Sequence, residues 1–286
     1  MESPGGSPSY EVTAVRYGSR STTKSDVFLH FGVYGEPDGP LQMDYFFWVA
    51  RTAGRTILVD CGFNDVSGGR RGRTMLCPPV TALRRLGIEP ADVSLLILTH
   101  AHYDHIGNVD EFPAAELIMS AREYNFWTGP LGGRPLFATS AETGDIDVLR
   151  KAHAAGRLRL LPAAAPGDAA VRQSVAAGID VLDVGGHTPG QLVVLVRTEA
   201  GEAVIASDAL HYYDEMRLDR PFTHVADLPA MYQGYELLSG LAVNERLLVA
   251  GHDPEVMRRY PAADGELAEL AVRIEPRTPD PGGAHS

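Results

Sequence analysis

The most informative part of the chain is Thr99-His100-Ala101-His102-Tyr103-Asp104-His105, which places three histidines and one aspartate within six residues. It follows directly on Val93 to Leu98, a continuous apolar run that predicts a strand buried on both faces. Neutral imidazole nitrogen and carboxylate oxygen are preferred ligands of zinc and similar divalent ions. Because alternate residues of an extended segment point the same way, the first two histidines can bind one ion. The aspartate and third histidine can then turn towards a second ion, and a solvated polar loop fits this spacing poorly.

Three further apolar segments also lead into a histidine or an aspartate. Each segment is a predicted strand, and the pairs are Ile179 to Val184 with His187, Ala203 to Ser207 with Asp208, and Arg246 to Ala250 with His252. Strand ends can meet at one edge of a sheet, where loops carry functional side chains on a rigid scaffold. We therefore predict that the four ligand-bearing segments converge on a single site.

The segments between these motifs mix predicted strands and helices. The other predicted strands are Glu11 to Tyr17, Val27 to Val33, Tyr45 to Ala50, Thr56 to Val59, Leu117 to Met119, Leu158 to Leu161 and Gln191 to Arg197. Helices are predicted over Val80 to Leu86, Ala121 to Trp127, Ile146 to Ala155 and about Asp227 to Leu241. No low-complexity linker or repeat divides the chain, so we expect one domain over residues 10–275, with a flexible leader at 1–9 and a flexible tail at 276–286.

Composition narrows the class of protein independently of the motifs. The 286 residues include 25 basic and 37 acidic side chains, a net charge of −12 that argues against nucleic acid or an anionic membrane as partner. The sequence has no apolar run of membrane-spanning length and no signal segment, so we expect a cytoplasmic protein. Its two cysteines, Cys61 and Cys77, exclude a disulfide framework and are expected to be reduced and structural.

Taken in order along the chain, these motifs resemble the signatures of the metallo-β-lactamase fold superfamily. Residues 100–105 have the form H-x-H-x-D-H, and residues 186–191 resemble the superfamily's G-H-[ST]-P-G-[HQ] motif. Asp208 and His252 stand in stretches similar to those of its bridging aspartate and its final histidine. Asp60, in the sequence Val-Asp-Cys-Gly, matches an early D-T-G motif except that cysteine replaces threonine. The resemblance covers most of the chain, from about residue 10 to about residue 260.

The resemblance implies an α/β fold, a four-layer αββα sandwich with two metal ions in a groove at one edge of the sheets. One ion would be held by His100, His102 and His187, the second by Asp104, His105 and His252, and Asp208 would bridge them. Asp60 would orient a ligand through hydrogen bonds. The cofactor is expected to be two Zn2+ ions, with iron, manganese and cobalt as alternatives. A water shared by two such ions loses a proton near neutral pH.

The sequences around the motifs most resemble those of the N-acyl-homoserine lactonases and pyridoxolactonases. The similar stretches are residues 86–93, 100–108, 121–124 and 251–253. That group typically places a tyrosine three residues after the bridging aspartate, where it hydrogen-bonds the substrate. Here the position is His211, followed by Tyr212, so either residue takes the role or the substrate differs. The candidate catalytic residues are therefore Asp104, His211 and Tyr212. The candidate substrate contacts are Tyr103, Phe63, Met75, Trp127, Leu131, Phe137, Tyr212 and Met216.

These observations predict a dinuclear zinc hydrolase that opens a lactone, such as an N-acyl-homoserine lactone or a related small lactone. Metal-bound hydroxide would attack the carbonyl, with Asp104 or Tyr212 handling protons. The alternatives are a thioester hydrolase similar to glyoxalase II and, more weakly, a mono-iron oxygenase or a non-catalytic metal-binding protein of the same fold. A nuclease fits poorly, because the one basic run, at residues 70–73, is short. The expected partner is a small lactone or ester, and a homodimer is compatible with the sequence.

Overall fold

Two sheets and the helices on their outer faces form the described part of the chain. The computed structural model describes residues 7–163, 170–242 and 244–276. Most of the predicted leader and nearly all of the predicted tail lie outside these residues, so the predicted domain limits stay predictions. None of the helices within the described ranges is long and apolar enough to cross a membrane.

The larger sheet has eight strands among the described residues. They are β1 (Glu11–Thr23), β2 (Pro40–Thr52), β3 (Arg55–Val59), β4 (Thr74–Met75), β5 (Val93–Ile97), β6 (Glu116–Ser120), β7 (Leu158–Leu161) and β13 (Ala271–Arg273). The strand order is β13-β1-β2-β3-β5-β6-β7, and β4 pairs with β1. The smaller sheet consists of β8 (Arg172–Ala176), β9 (Ile179–Asp183), β10 (Leu192–Thr198), β11 (Gly201–Ser207) and β12 (Leu248–Ala250). Its order is β12-β11-β10-β9-β8.

Helices cover the outer faces of both sheets, which confirms the predicted αββα sandwich. They are α1 (Lys24–Val27), α2 (Asp65–Arg70), α3 (Pro79–Arg85), α4 (Tyr103–Ile106), α5 (Ala121–Thr128), α6 (Pro135–Ala138), α7 (Thr143–Ala154), α8 (Tyr213–Arg217), α9 (Leu228–Leu241) and α10 (Glu255–Arg259). Leu83 of α3 and Leu149 of α7 share one buried cluster with Leu58 of the larger sheet. Met231 of α9 belongs to the cluster that includes the smaller sheet.

Strand β2 shows how the sequence produces two cores. Its residues 43–50 are all buried, as expected of a strand with packed layers on both faces. Because successive side chains point to opposite faces, Phe46 and Trp48 enter the cluster between the sheets. Tyr45 and Phe47 enter the other cluster, beneath the helices. This aromatic segment therefore fills both cores.

The sheet topology brings the ends of the ligand-bearing strands to one edge. Strands β3, β5 and β6 are parallel, so the residues that follow β3 and β5 lie side by side. In the smaller sheet β9 and β11 are both antiparallel to β10, and β12 is parallel to β11, so these three strands also end together. The hydroxyls of Thr99 and Ser207, which lie 2.9 Å apart, connect the two edges.

One predicted strand, Val27 to Val33, is wrong. The structure has α1 there, followed by a 3-10 turn at Phe31–Tyr34. The hydroxyl of Thr23 accepts a hydrogen bond from Asp26 N and caps the helix, and His30 has a left-handed φ of 50° that ends any extended run. The segment instead buries Val27, Phe28 and Phe31 in the core through two short turns.

Asp145, in the first turn of α7, provides a test of stability against pH. Burial, together with the carboxylates of Glu142 and Asp110, raises the pKa of Asp145 to about 7. A carboxyl whose folded pKa is raised stabilises the protein below its unfolded pKa and loses that contribution as the pH rises from about 4 to about 7. Because the side chain is partly exposed, we expect Asp145→Asn to raise the free energy of unfolding by only about 1 kcal/mol at pH 8. At pH 4 we expect no change.

Urea unfolding of Asp145→Asn at pH 4 and pH 8 measures this difference. Asp147→Asn on the same helix is the matched control, because Asp147 is 52% exposed and pairs with Arg150. A gain at pH 8 that equals the gain at pH 4 would contradict the assigned protonation.

Candidate metal centre

Seven side chains gather at the common strand edge in two groups, each of which could hold a metal ion. Within each group, all members offer a ligand atom within 4.8 Å of the others. All seven side chains are buried. The first group is His100, His102, His187 and Asp208, and the second is Asp104, His105 and His252. The structure thus brings together every residue that the sequence suggests as a metal ligand.

Asp208 lies between the two groups. Its Oδ1 atom is 3.2 Å from Nε2 of both His105 and His252, which belong to the second group. Its Oδ2 atom is 3.4 Å from His187 Nε2 and 3.8 Å from His100 Nε2, in the first group. Oδ2 also lies 3.2 Å from His252 Nε2, so this one carboxylate approaches histidines of both groups, as a bridging position requires.

Two of the histidines are oriented by main-chain carbonyls. His187 Nδ1 lies 2.7 Å from the carbonyl oxygen of His224, and His252 Nδ1 lies 2.7 Å from that of Asp44. A carbonyl oxygen can only accept, so both Nδ1 atoms carry the proton. The Nε2 atoms then direct lone pairs into the site, which is the tautomer that binds a metal.

The site also contains buried nitrogen atoms that the protein leaves without partners. Nε2 of His100 and Nε2 of His105 are buried and form no hydrogen bond with the described residues. Leaving a buried polar atom unpaired costs about 1–3 kcal/mol. Divalent cations would satisfy these atoms together with the other inward-facing lone pairs. The donor set of five histidines and two aspartates therefore fits two divalent metal ions.

The electrostatics of the site favour bound cations. Burial, reinforced by neighbouring histidines, lowers the pKa values of His100, His102 and His187 well below the usual range, which keeps them neutral. Burial alone would raise the pKa of Asp208, but the imidazoles of His252, His105 and His211 lower it well below its usual value. Burial opposes the charged form of His105 as well, yet the carboxylates of Asp208, Asp60 and Asp104 outweigh it and raise its pKa. A metal ion bound at His105 would therefore displace a proton from its Nε2 atom.

Asp60 follows β3 and contacts both ends of the ligand-bearing segment at residues 99–105. Its backbone is left-handed, with φ of 60°, which turns the carboxylate under the end of β5. One oxygen accepts a hydrogen bond from Thr99 N at 2.8 Å. The other accepts from the Thr99 hydroxyl at 2.8 Å and lies 2.7 Å from His105 Nδ1. Asp60 therefore has the contacts of a residue that orients a metal ligand.

Glu123 was not among the residues suggested by the sequence. It is fully buried in α5, and its Oε1 accepts hydrogen bonds from Ala101 N at 2.9 Å and Trp127 Nε1 at 2.7 Å. Its Oε2 accepts from Gly190 N at 2.9 Å. One carboxylate thus joins the loop that carries His100 and His102 to the loop that carries His187. A lone glutamate in a predicted helix carries no local signal for such a role.

A cavity of about 300 Å³ opens onto the site and is lined by His102, Asp104, His187, Asp208 and His252. Tyr103, Met43 and Phe222 form part of its wall. A smaller cavity of about 100 Å³ adjoins it at His102 and His187 and is lined by Trp127, Phe137 and Val225. The candidate metal centre is therefore accessible to a small molecule.

The predicted substrate contacts fall into different environments. Tyr103 lines the larger cavity, and Trp127 and Phe137 line the smaller one. Phe63 is fully buried against Tyr17 and Tyr45, because its apolar ring completes the core under the site. Leu131 is 54% exposed. Met75 and Met216 pack against the two core clusters, and neither they nor Leu131 and Phe63 line these two cavities.

His211 and Tyr212, the two candidates for the substrate-contacting position, both lie away from the cavities. His211 is fully buried behind Phe222, with which it stacks at 3.6 Å between ring centroids. Its Nε2 lies 3.1 Å from Asp208 Oδ2, and its Nδ1 lies 3.3 Å from Glu215 Oε1. Tyr212 is buried, and its hydroxyl donates to the carbonyl of Gln42 at 3.1 Å. Neither side chain lines the two cavities.

This placement predicts that Tyr212→Phe retains activity. The lost hydrogen bond to Gln42 should lower stability by about 1 kcal/mol, whereas kcat/KM should stay within about twofold of the unsubstituted protein, because the hydroxyl does not reach the cavity. Steady-state kinetics and thermal unfolding of the same preparation measure both quantities. A loss of kcat of about a hundredfold or more would instead assign a catalytic role to the Tyr212 hydroxyl.

A buried set of histidine and aspartate ligands at the edge of an αββα sandwich defines a metal-dependent hydrolase. The family model of the Metallo-beta-lactamase superfamily matches residues 44–257 of the sequence. The chain therefore belongs to this superfamily.

Relatives within the superfamily include named lactonases. The chain is 26% identical over 201 residues to the N-acyl homoserine lactonase AttM of Azorhizobium caulinodans, an alignment that covers 65% of this chain and 68% of the relative. It is 24% identical over 242 residues to an N-acyl homoserine lactonase of a Bacillus species, covering 78% and 86% of the two chains.

Solved structures share the fold at lower identity. One is an N-acyl homoserine lactone hydrolase with the product N-hexanoyl-L-homoserine bound at its catalytic metal centre, with a TM-score of 0.70, 19% identity and 88% and 96% of the two chains covered. Another is AidC, a dizinc quorum-quenching lactonase, with a TM-score of 0.65, 18% identity and coverage of 95% and 96%. These structures support the same sandwich architecture.

Proposed function

We propose that this protein is a dinuclear zinc-dependent hydrolase that opens a small lactone. The observation that carries the proposal is the carboxylate of Asp208, which faces two groups of buried ligands at the floor of an open cavity. Two aligned relatives that are named N-acyl homoserine lactonases favour a cyclic ester as substrate.

The seven ligands divide between two ions. His100, His102 and His187 would hold one, Asp104, His105 and His252 would hold the other, and Asp208 would bind both. When bound, such a pair polarises a carbonyl oxygen and lowers the pKa of a shared water. Asp60, through its contacts with Thr99 and His105, orients the second group.

The remaining residues bind the substrate and manage protons. Asp104 lines the cavity, and its carboxylate can take a proton from the attacking water and return it to the alkoxide of the opened ring. The Tyr103 hydroxyl accepts a hydrogen bond from Arg73 Nε at 2.9 Å, which leaves its own proton free for a substrate oxygen. Phe222 and Met43 cover part of the cavity and limit the access of bulk water.

The test is hydrolysis of a panel of lactones by protein purified with a measured metal content. Ring opening is measured through the proton that the new carboxylic acid releases. We expect it to require two zinc-like ions per chain and to disappear on chelation. Turnover of thioesters without turnover of any lactone would contradict the proposal in favour of a thioester hydrolase. One iron per chain with oxygen consumption would contradict the hydrolytic mechanism altogether.

A further inference from the structure

Three arginines line the larger cavity of this acidic protein. They are Arg20, Arg71 and Arg73, and they share the cavity with the candidate metal ligands His102, Asp104 and His252. The protein as a whole carries a net charge of −12, so a cluster of cations at this position does not follow from its composition. Arg71 and Arg73 belong to one loop, and Arg20 belongs to β1. Their existing partners determine which of the three positive charges is available to a ligand.

Among the described residues, a carboxylate pairs with Arg71 but with neither of the other two arginines. Arg71 pairs with Glu142 at its Nη1 atom, donates to the carbonyl of Thr139 and lies over the ring of Tyr103 at 4.0 Å. Its guanidinium therefore stabilises the loop through contacts within the protein. This leaves the other two arginines as candidates for binding a ligand.

Arg73 is partly occupied by neutral groups. Its Nε donates to the Tyr103 hydroxyl at 2.9 Å, and its Nη1 donates to the carbonyl of Arg71 at 2.8 Å. Its Nη2 has no partner among the described residues, and no carboxylate of those residues forms an ion pair with it. The Arg73 guanidinium is thus fixed in position, and its Nη2 atom can still donate hydrogen bonds to a ligand.

Arg20 has no hydrogen bond or ion pair from its side chain to any described residue. It lies on β1, which pairs with β4 so that Ser19 stands opposite Thr74. One step further along this antiparallel register brings Arg20 alongside Arg73. Two guanidinium groups without carboxylate partners therefore border the same cavity. Both are half-buried, so an anionic ligand would relieve an unfavourable concentration of positive charge.

We propose that the substrate carries a carboxylate, which Arg20 and Arg73 bind at the mouth of the cavity while the ester lies at the metal ligands. The proposal rests on the proposed hydrolytic function. A guanidinium binds a carboxylate through paired hydrogen bonds, and two such groups select strongly for that charge. The cavity volume of about 300 Å³ is at the small end for ligand sites, which favours a small substrate.

The adjoining cavity restricts the rest of the substrate. It holds about 100 Å³ and presents Trp127, Phe137 and Val225 to a ligand at His102 and His187. A short apolar substituent fits this space, whereas a long acyl chain does not. The substrate class is therefore a small lactone with a carboxylate on one side of the ring and a short apolar group on the other.

The test compares a γ-butyrolactone that bears a ring carboxylate with the corresponding neutral carboxamide. We expect kcat/KM to be about tenfold or more higher for the carboxylate at low ionic strength, and the ratio to fall as salt is added. In Arg20→Gln the ratio should fall to within about twofold of one, because kcat/KM for the carboxylate should decrease far more than kcat/KM for the carboxamide. Arg20→Lys, which keeps the charge, should retain part of the preference.

The matched control is Arg197→Gln, because Arg197 is an exposed strand residue of the smaller sheet. It should keep the full preference. If Arg20→Gln also keeps the full preference, the metal ions and not the arginines select the carboxylate, and the proposal is overturned. Equal hydrolysis of both lactones by the unsubstituted protein would overturn it too, while leaving the lactonase function intact.

A binding measurement separates this inference from the proposed function. Cyclopentanone bearing a ring carboxylate cannot be opened by hydrolysis, and its binding to the metal-loaded protein can be compared by calorimetry with that of the carboxamide. About tenfold tighter binding of the carboxylate that is lost in Arg20→Gln supports the anion site even if no lactone is hydrolysed. Equal binding of the two ketones would contradict it even if lactones are hydrolysed.

Discussion

Asp208→Asn is expected to lose about one metal ion per chain and at least about a hundredfold in turnover. The carboxylate of Asp208 lies against both groups of ligands, so its negative charge offsets the repulsion between two nearby dications. Asparagine keeps the shape of the side chain but removes this charge and replaces one acceptor oxygen with a donor. The fold should survive, because β11 is held between β10 and β12 in the smaller sheet.

Metal content by mass spectrometry, melting temperature and kcat, all on one preparation, test this prediction. Asp180→Asn is the matched control: Asp180 lies in the same sheet but pairs with Arg172 away from the site. If Asp208 only capped a turn, the substitution would cost about 1 kcal/mol and leave the metal content unchanged. Two retained ions at normal activity would remove the basis of the dinuclear mechanism.

Glu123→Ala is expected to cost about 4 kcal/mol of stability, or roughly 10 °C in melting temperature. The substitution leaves three buried donors, Ala101 N, Gly190 N and Trp127 Nε1, without an acceptor. It also frees the loops that carry His100, His102 and His187 from each other. We therefore expect weaker metal binding in addition to the loss of stability, although Glu123 is not itself a ligand.

Thermal unfolding and zinc titration in the presence of a competing chelator measure the two effects separately. Glu116→Ala is the control, because Glu116 is 47% exposed and pairs with Arg159 at the surface. It should change neither quantity appreciably. A Glu123→Ala protein that unfolds like the parent would show that water or a neighbouring side chain satisfies the three donors.

The ligand set could be predicted from the sequence because each part of it is locally encoded. His100, His102, Asp104 and His105 lie within six residues, and each remaining ligand follows an apolar strand directly. The strands themselves were predictable, because continuous apolar runs such as Val93 to Leu98 mark strands buried on both faces. Local spacing and strand ends therefore contain the information for the site, together with the motifs that resemble the superfamily.

Other features depend on contacts between residues that are distant in the chain. The proton on His252 Nδ1 is determined by the carbonyl of Asp44, and that on His187 Nδ1 by the carbonyl of His224. Main-chain carbonyls occur at every position, so the sequence carries no mark of these two. Glu123 likewise gains its role only because α5 packs where the two ligand loops meet.

The predicted substrate contacts show the same limit. Phe63 and Tyr212 stand close to the motifs in sequence, but the fold turns both into the core. Arg20, far from any motif, reaches the cavity because the pairing of β1 with β4 carries it there. Hydrophobic periodicity indicates which residues are buried, yet with packed layers on both sides of a sheet it does not indicate which buried face opens onto a cavity. That choice depends on how sheets, loops and helices pack, since the free energy of burial is nearly the same on either face.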